Sequence, residues 1–92
     1  MRELEFTGAF KKDFKIVKRN PSHRDIELVL EPILQLLRED VPLPEANRDH
    51  PLTGNWKDFR DCHVKPDLVL IYRKEDNLLQ LTRIGSHSKL KL

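Results

Sequence analysis

Leu68-Val69-Leu70-Ile71-Tyr72-Arg73-Lys74, then Glu75-Asp76-Asn77, then Leu78-Leu79-Gln80-Leu81-Thr82-Arg83-Ile84 closed by Gly85, is the stretch on which the fold turns. Leu68–Tyr72 is the longest unbroken apolar run in the chain, five residues, and predicts a central strand buried on both faces. Lys74–Asn77 is polar and short enough for a hairpin connection, so Leu78–Ile84 returns antiparallel until Gly85 breaks the strand. Upstream, Arg60–Val64 reads as a strand joined to the central one by a Lys65-Pro66-Asp67 turn, and Asn55–Phe59 reads as a shorter strand before it. Downstream, Ser86–Leu92 is a tail rich in lysine, serine and leucine.

The first half has a different period. Arg2–Phe6 alternates polar and apolar residues as a short strand, and Gly8 ends it. From Ala9 to Arg19, Phe10, Phe14 and Val17 recur at helical spacing with lysines on the other side, closed by Asn20-Pro21. Ser22 is the predicted cap of a second helix, with Asp25 as the acidic half of a capping box. Ile26, Val29, Leu30, Ile33, Leu36 and Leu37 form its stripe, and Pro32 lies inside with a kink expected there. Asp40–Pro51 holds three of the six prolines and reads as an extended surface loop. The order β-α-α-β-β-β predicts an α+β domain over residues 1–92, two helices packed on one face of a mainly antiparallel twisted sheet.

Composition narrows the classes. With 92 residues, 38% hydrophobic and 35% charged, the chain is sized for one domain with one core. No apolar run is long enough to span a membrane. The opening MRELEFTGAFKKDF carries charges where a signal peptide needs an apolar stretch, and the lone Cys62 has no disulfide partner. A reducing cytoplasm is the expected home. The net charge of +2 is divided unevenly: residues 1–46 carry 8 basic and 9 acidic side chains, residues 47–92 carry 9 and 6. A phosphate-binding surface is expected in the second half, which also holds three of the four histidines.

His50, His63, Asp67 and His87, with Lys57, Arg60, Lys65 and Arg83 near them, are the residues suited to chemistry. In an antiparallel meander, a strand end, a turn and a post-strand tail meet at one sheet edge. Several proton carriers beside cations suit phosphodiester cleavage by internal 2′-OH attack, which needs a base, an acid and positive charge for the phosphorane. Each residue also has a plainer reading: a surface histidine is usually only that, Asp67 after Pro66 is a turn former, and Arg60 and Arg83 are strand-edge charges. His23, in the acidic half, belongs to that plainer class, and Trp56 reads as core or rim packing. Spacings of 13 and 24 residues between the three histidines match no compact metal motif, so neither metal nor cofactor is expected. Cys62 faces away from His63 on a strand and is no nucleophile for the same cleft.

The run Leu43-Pro44, Asp49-His50-Pro51-Leu52-x-Gly54-x-Trp56-Lys57, Arg60-Asp61-x-His63-Val64-x-Pro66-Asp67, with Ile71-Tyr72 and the closing Arg83-x-Gly85-x-His87-Ser88, resembles the YafQ branch of the RelE/ParE toxin superfamily. The likeness runs over nearly the whole chain. It implies a cytoplasmic type II toxin that enters the ribosomal A site and cuts mRNA without a metal. It also implies partners: the 70S ribosome and a cognate antitoxin of ribbon–helix–helix type, with the free toxin monomeric. The matching functional positions are His50, His63, Asp67 and His87. His87 and Asp67 are assigned the proton transfers, and His50 and His63 position or charge the scissile phosphate. Lys57, Arg60 and Arg83 would stabilise charge and contact RNA, as would Lys89 and Lys91 of the tail. Which group is base and which acid is open at this level, because coupled groups titrate together. The family's C-terminal aromatic is replaced by Ser88-Lys89-Leu90-Lys91-Leu92.

Three other readings share these residues. A ParE-like binder blocks a protein such as DNA gyrase without catalysis, and has no need of three imidazoles beside an aspartate. An inactive scaffold would not arrest growth. A general RNA-binding module would hold naked RNA with steep salt dependence and leave it intact.

Overall fold

The strand built from Leu68–Glu75 (β4) lies at the centre of a five-stranded sheet in a computed structural model describing all 92 residues. The others are β1 (Glu3–Phe6), β2 (His50–Pro51), β3 (Arg60–Lys65) and β5 (Leu78–Gly85), in the spatial order β1-β5-β4-β3-β2. All neighbours pair antiparallel except β1, which runs parallel to β5 from Glu3↔Leu78 to Phe6↔Leu81. Asp76 takes the left-handed conformation (φ 51°) that reverses the β4–β5 hairpin, one that aspartate tolerates.

Helices α1 (Gly8–Arg19) and α2 (Ile26–Arg38) cover one face. Phe10 and Val17 of α1 and Ile26, Leu30, Ile33 and Leu37 of α2 meet Leu68, Leu70 and Tyr72 of β4 in the main core. Val69 and Ile71 point the other way and are equally buried, as an unbroken apolar strand requires. Their cover is Leu90 from a C-terminal helical turn, α3 (His87–Leu90), together with Leu52, Trp56 and Phe59.

Local expectations are corrected in five places. Ser22 does not cap α2: the Asn20 side chain accepts from the Ser22 N–H and starts a separate 3-10 turn, Pro21–His23. Asp25 precedes α2 without a side-chain cap bond, because its carboxylate is taken by Lys65 Nζ at 2.7 Å. Asn55–Phe59 is no strand but a 3-10 turn, Gly54–Trp56, followed by Asp58. Gly54 (φ 64°) and Asp58 (φ 77°) are both left-handed, which no extended run survives, and Trp56 turns in against Phe59 with ring centroids 5.4 Å apart. His50 stands on the edge strand β2 rather than in the loop, and the tail forms α3, with the Ser86 hydroxyl accepting from the Lys89 N–H. Through Pro32 the helix α2 runs uninterrupted and the stripe keeps its phase.

Candidate active site

Strand alternation sorts β3. Cys62 and Val64 enter the main core, so Asp61 and His63 project from the opposite face. The register of β2 places His50 directly opposite Asp61. Pairing of β3 with β4 shifts between His63 and Lys65, a bulge next to the turn that carries Asp67. From Gly85, the last residue of β5, Ser86 leads to His87 as the first residue of α3, and burial of Leu90 (3% exposed) seats that turn on Val69 and Ile71.

Two carboxylate–imidazole pairs result. Asp67 Oδ1 accepts from the His87 backbone N–H (3.3 Å) and lies 2.7 Å from His87 Nδ1. The His87 ring bond, seconded by the backbone bond, holds the Asp67 carboxyl below the usual carboxylate range. An ionised carboxylate only accepts, so the proton at this contact belongs to Nδ1 and Nε2 is left for other partners. On the other side of the site, His50 Nδ1 lies 2.7 Å from the Arg48 carbonyl and 3.1 Å from Asp61 Oδ1. Asp61 is 3% exposed, and burial pushes its carboxyl up against the opposing pull of His50, His63 and His87. The His63 ring meets that of His87 edge-on, with centroids 4.9 Å apart.

A cavity of about 800 Å³ joins these groups, lined by His50, Asp61, Arg83, His87, Lys89 and Lys91 among polar residues, with Trp56 and Leu92 on its apolar side. Arg83 is pinned from behind. Asp13, buried on α1, accepts from its Nε (2.6 Å) and Nη2 (3.0 Å) and from the Ile84 N–H (3.2 Å). That last bond satisfies β5 beyond Phe6, where β1 has ended and the sheet edge would be open.

The expected residues are therefore divided. His50, Arg83, His87, Lys89 and Lys91 line one cavity, with His63 and Asp67 against His87. Lys57 is exposed at the end of the Gly54–Trp56 turn and does not line it. Arg60 alternates onto the Cys62 side, with Nε 3.3 Å from Asp49 Oδ1, which also accepts from the Tyr72 hydroxyl at 2.5 Å. Cys62 is fully buried, and burial raises its thiol far above its ordinary value. Asp61 and Asp13 were not among the candidates. Asp61 is signalled only by sitting two residues before His63 on one strand. Asp13 is signalled by being the acidic residue between Phe10 and Val17 on the apolar side of a lysine-rich helix. No group of three or more His, Cys, Asp or Glu is arranged to hold a metal ion.

The family model described as "Bacterial toxin of type II toxin-antitoxin system, YafQ" matches residues 2–92. The mRNA interferase toxin YafQ of Escherichia coli strain K12 is 39% identical over 89 residues, 97% of this chain and 95% of that protein. In the crystal structure of the E. coli DinJ-YafQ complex, the matching chain superposes with a TM-score of 0.83 at 41% identity, covering 98% of each chain. A metal-bound toxin from Helicobacter pylori gives a TM-score of 0.83 at 42% identity, covering 98% of this chain and 99% of that one.

Proposed function

Because the chain belongs to the YafQ family of bacterial type II toxins and is an mRNA interferase, an endoribonuclease, we propose that it cuts mRNA in the ribosomal A site by metal-independent 2′-OH attack. The observation that supports this most directly is the His87–Asp67 pair, placed beside a cavity that also presents His50, Arg83, Lys89 and Lys91. The reaction needs a base for the 2′-OH, an acid for the departing 5′-oxygen and cations for the phosphorane. Asp67 acts through His87, so the two form one proton-transfer unit: the carboxylate holds the proton on Nδ1 and Nε2 exchanges a proton with substrate. His50 and His63 flank the phosphate. Arg83 is fixed in place by donating two hydrogen bonds to Asp13. Lys89, 3.8 Å from Asp13, and Lys91 add charge from α3 and its end. These groups supply protons and charge stabilisation from the chain itself, which is why no metal enters the proposal.

Ribosome dependence fits the charge. The cavity offers three cations, Arg83, Lys89 and Lys91, as phosphate contacts for free RNA, so the ribosome presents the message. The partner in the resting state is a cognate antitoxin of ribbon–helix–helix type, in line with the complex that E. coli YafQ forms with DinJ. The test is mRNA 5′-end mapping on programmed ribosomes with EDTA present, comparing the wild type with His87→Ala. In-frame A-site cuts that require ribosomes and His87 are expected. Equal cleavage of naked RNA, or loss of cleavage in EDTA, overturns the corresponding part. Intact mRNA from folded, antitoxin-free protein favours a toxin that blocks a protein target.

A further inference from the structure

Asp13 is the one carboxylate of α1, and it stands on the apolar side of that helix between Phe10 and Val17, 4% exposed. Burying a carboxylate costs free energy unless its lone pairs are used. Here three hydrogen bonds reach it. Oδ2 accepts from Arg83 Nε (2.6 Å) and from the Ile84 N–H (3.2 Å), and Oδ1 accepts from Arg83 Nη2 (3.0 Å). Closing the sheet edge at Ile84 needs only a neutral acceptor, so the buried charge is matched to the guanidinium. A guanidinium has five N–H donors in one plane, and Asp13 takes two of them along the Nε–Nη2 side. The other three, two on Nη1 and one on Nη2, have no protein partner and form a second fork on a residue that lines the cavity.

We propose that Asp13 is a positioning residue for cleavage: it clamps the Nε–Nη2 side of Arg83 so that the free Nη1–Nη2 fork meets the two non-bridging oxygens of the scissile phosphate. The inference rests on the RNA-cleavage reading for its substrate, whereas the clamp is a property of the free protein. A carboxylate behind a cation weakens the attraction that the cation exerts on RNA, so Asp13 works against affinity and in favour of geometry. The non-bridging oxygens carry the charge that builds as the 2′-oxygen bonds to phosphorus, and a fork fixed beforehand meets that charge without reorganising. Because Asp13 belongs to α1 and Arg83 to β5, the fork is fixed to the helix layer and the sheet rather than to the C-terminal turn that carries His87. Lys89 Nζ, 3.8 Å from Asp13 Oδ1, is the other cavity cation near the same carboxylate, beyond hydrogen-bond distance.

The test joins ¹⁵N NMR of the arginine side chains in the free protein to single-turnover cleavage on programmed ribosomes, for wild type and Asp13→Asn. The message carries either an ordinary scissile phosphate or one with sulfur at a non-bridging position. Asparagine keeps an acceptor for the Ile84 N–H but turns an amide N–H toward Nη2, so the clamp opens while the sheet edge stays paired. In wild type, Arg83 is expected to show hindered rotation about Nε–Cζ, with separate Nη1 and Nη2 signals, and sulfur slows the cut. In Asp13→Asn, rotation is freed and the rate falls about 10- to 100-fold, the scale of a misplacement of about 1 Å. The sulfur effect shrinks with it, while the ribosome concentration giving half the maximal rate stays the same or falls. A freely rotating Arg83 in wild type, or a wild type indifferent to sulfur, overturns the proposal whether or not the variant folds. So does a folded Asp13→Asn protein that keeps its rate after the clamp opens. A variant that loses rate and ribosome binding together, with the sulfur effect intact, also overturns it, since a structural role alone gives that result. If Arg83 is clamped but the wild type leaves mRNA intact, the cleavage reading fails and the clamp on Arg83 stands without it.

Discussion

His87 carries the greatest concentration of contacts in the site: a carboxylate at its ring and backbone nitrogens, and an imidazole face at 4.9 Å. Replacing it by glutamine removes a proton carrier while keeping a polar side chain. Single-turnover cleavage is expected to fall about 10²- to 10⁴-fold, the usual worth of a positioned acid or base. Asp67→Asn acts differently. Its carboxylate is held ionised below the usual range and favours protonated His87. Its loss therefore frees the His87 ring from the Nδ1–H form, so cleavage should fall while ¹⁵N–¹H NMR shows both His87 tautomers. Lower cleavage with the tautomer unchanged would mean that Asp67 meets the substrate itself. His50, His63, Asp67 and His87 were all legible as proton-carrying types on the strand-rich half of the chain. What the spacing left unread is that Asp67 serves His87, since residues 20 apart meet only when α3 folds back over the β3–β4 turn.

At the scale of elements, α3 is a single turn whose attachment to the sheet is the buried Leu90. Leu90→Ala is expected to lower stability by about 2–3 kcal/mol, toward the lower end for a buried leucine because the chain end can relax. More tellingly, amide exchange should rise across residues 87–92, and cleavage should fall by an order of magnitude or more, since a displacement of about 1 Å in a catalytic group costs about 10²-fold. Global destabilisation with exchange in the segment unchanged would argue against this anchoring role. The same element shows why Ser86–Leu92 read as a tail. One turn of helix has no period to detect, and its reason to form is the apolar patch of Val69 and Ile71 contributed by a different strand. The Asn55–Phe59 reading failed for a comparable reason. Trp56 and Phe59 give the segment its apolar residues, but they stand three apart, the two left-handed residues Gly54 and Asp58 enclose a turn, and an aspartate gives weak warning of positive φ.

For the molecule as a whole, acid is the informative perturbant. The hydrogen bond from Lys74, and then that from Arg2, lower the Asp40 carboxyl to about 2; Lys65 lowers Asp25, and His87 lowers Asp67. Each is depressed in the folded state, so its stabilisation is fully present above the ordinary carboxylate value of 3.8 and is lost as pH falls toward the folded value. The urea midpoint at low salt should decline between about pH 4 and pH 2, and Asp40→Asn should flatten that decline. Asp61 has the opposite sign. Its carboxyl is raised by burial, so its contribution is fully present below the ordinary value and is lost as pH rises through the folded one. Asp61→Asn is therefore expected to unfold at a higher urea concentration than wild type at pH 7, and a lower midpoint would count against a functional reason for keeping the charge. The sequence by itself determined the opening strand and two helices, the β3–β4–β5 meander, the doubly buried central strand and the opposed faces of Cys62 and His63 on β3, because these follow from local periodicity. Only the tertiary structure decided the parallel pairing of β1 with β5, the Asp13–Arg83 clamp and the two carboxylate–imidazole pairs. Those depend on which distant segments a single small core brings together, and no local spacing encodes that.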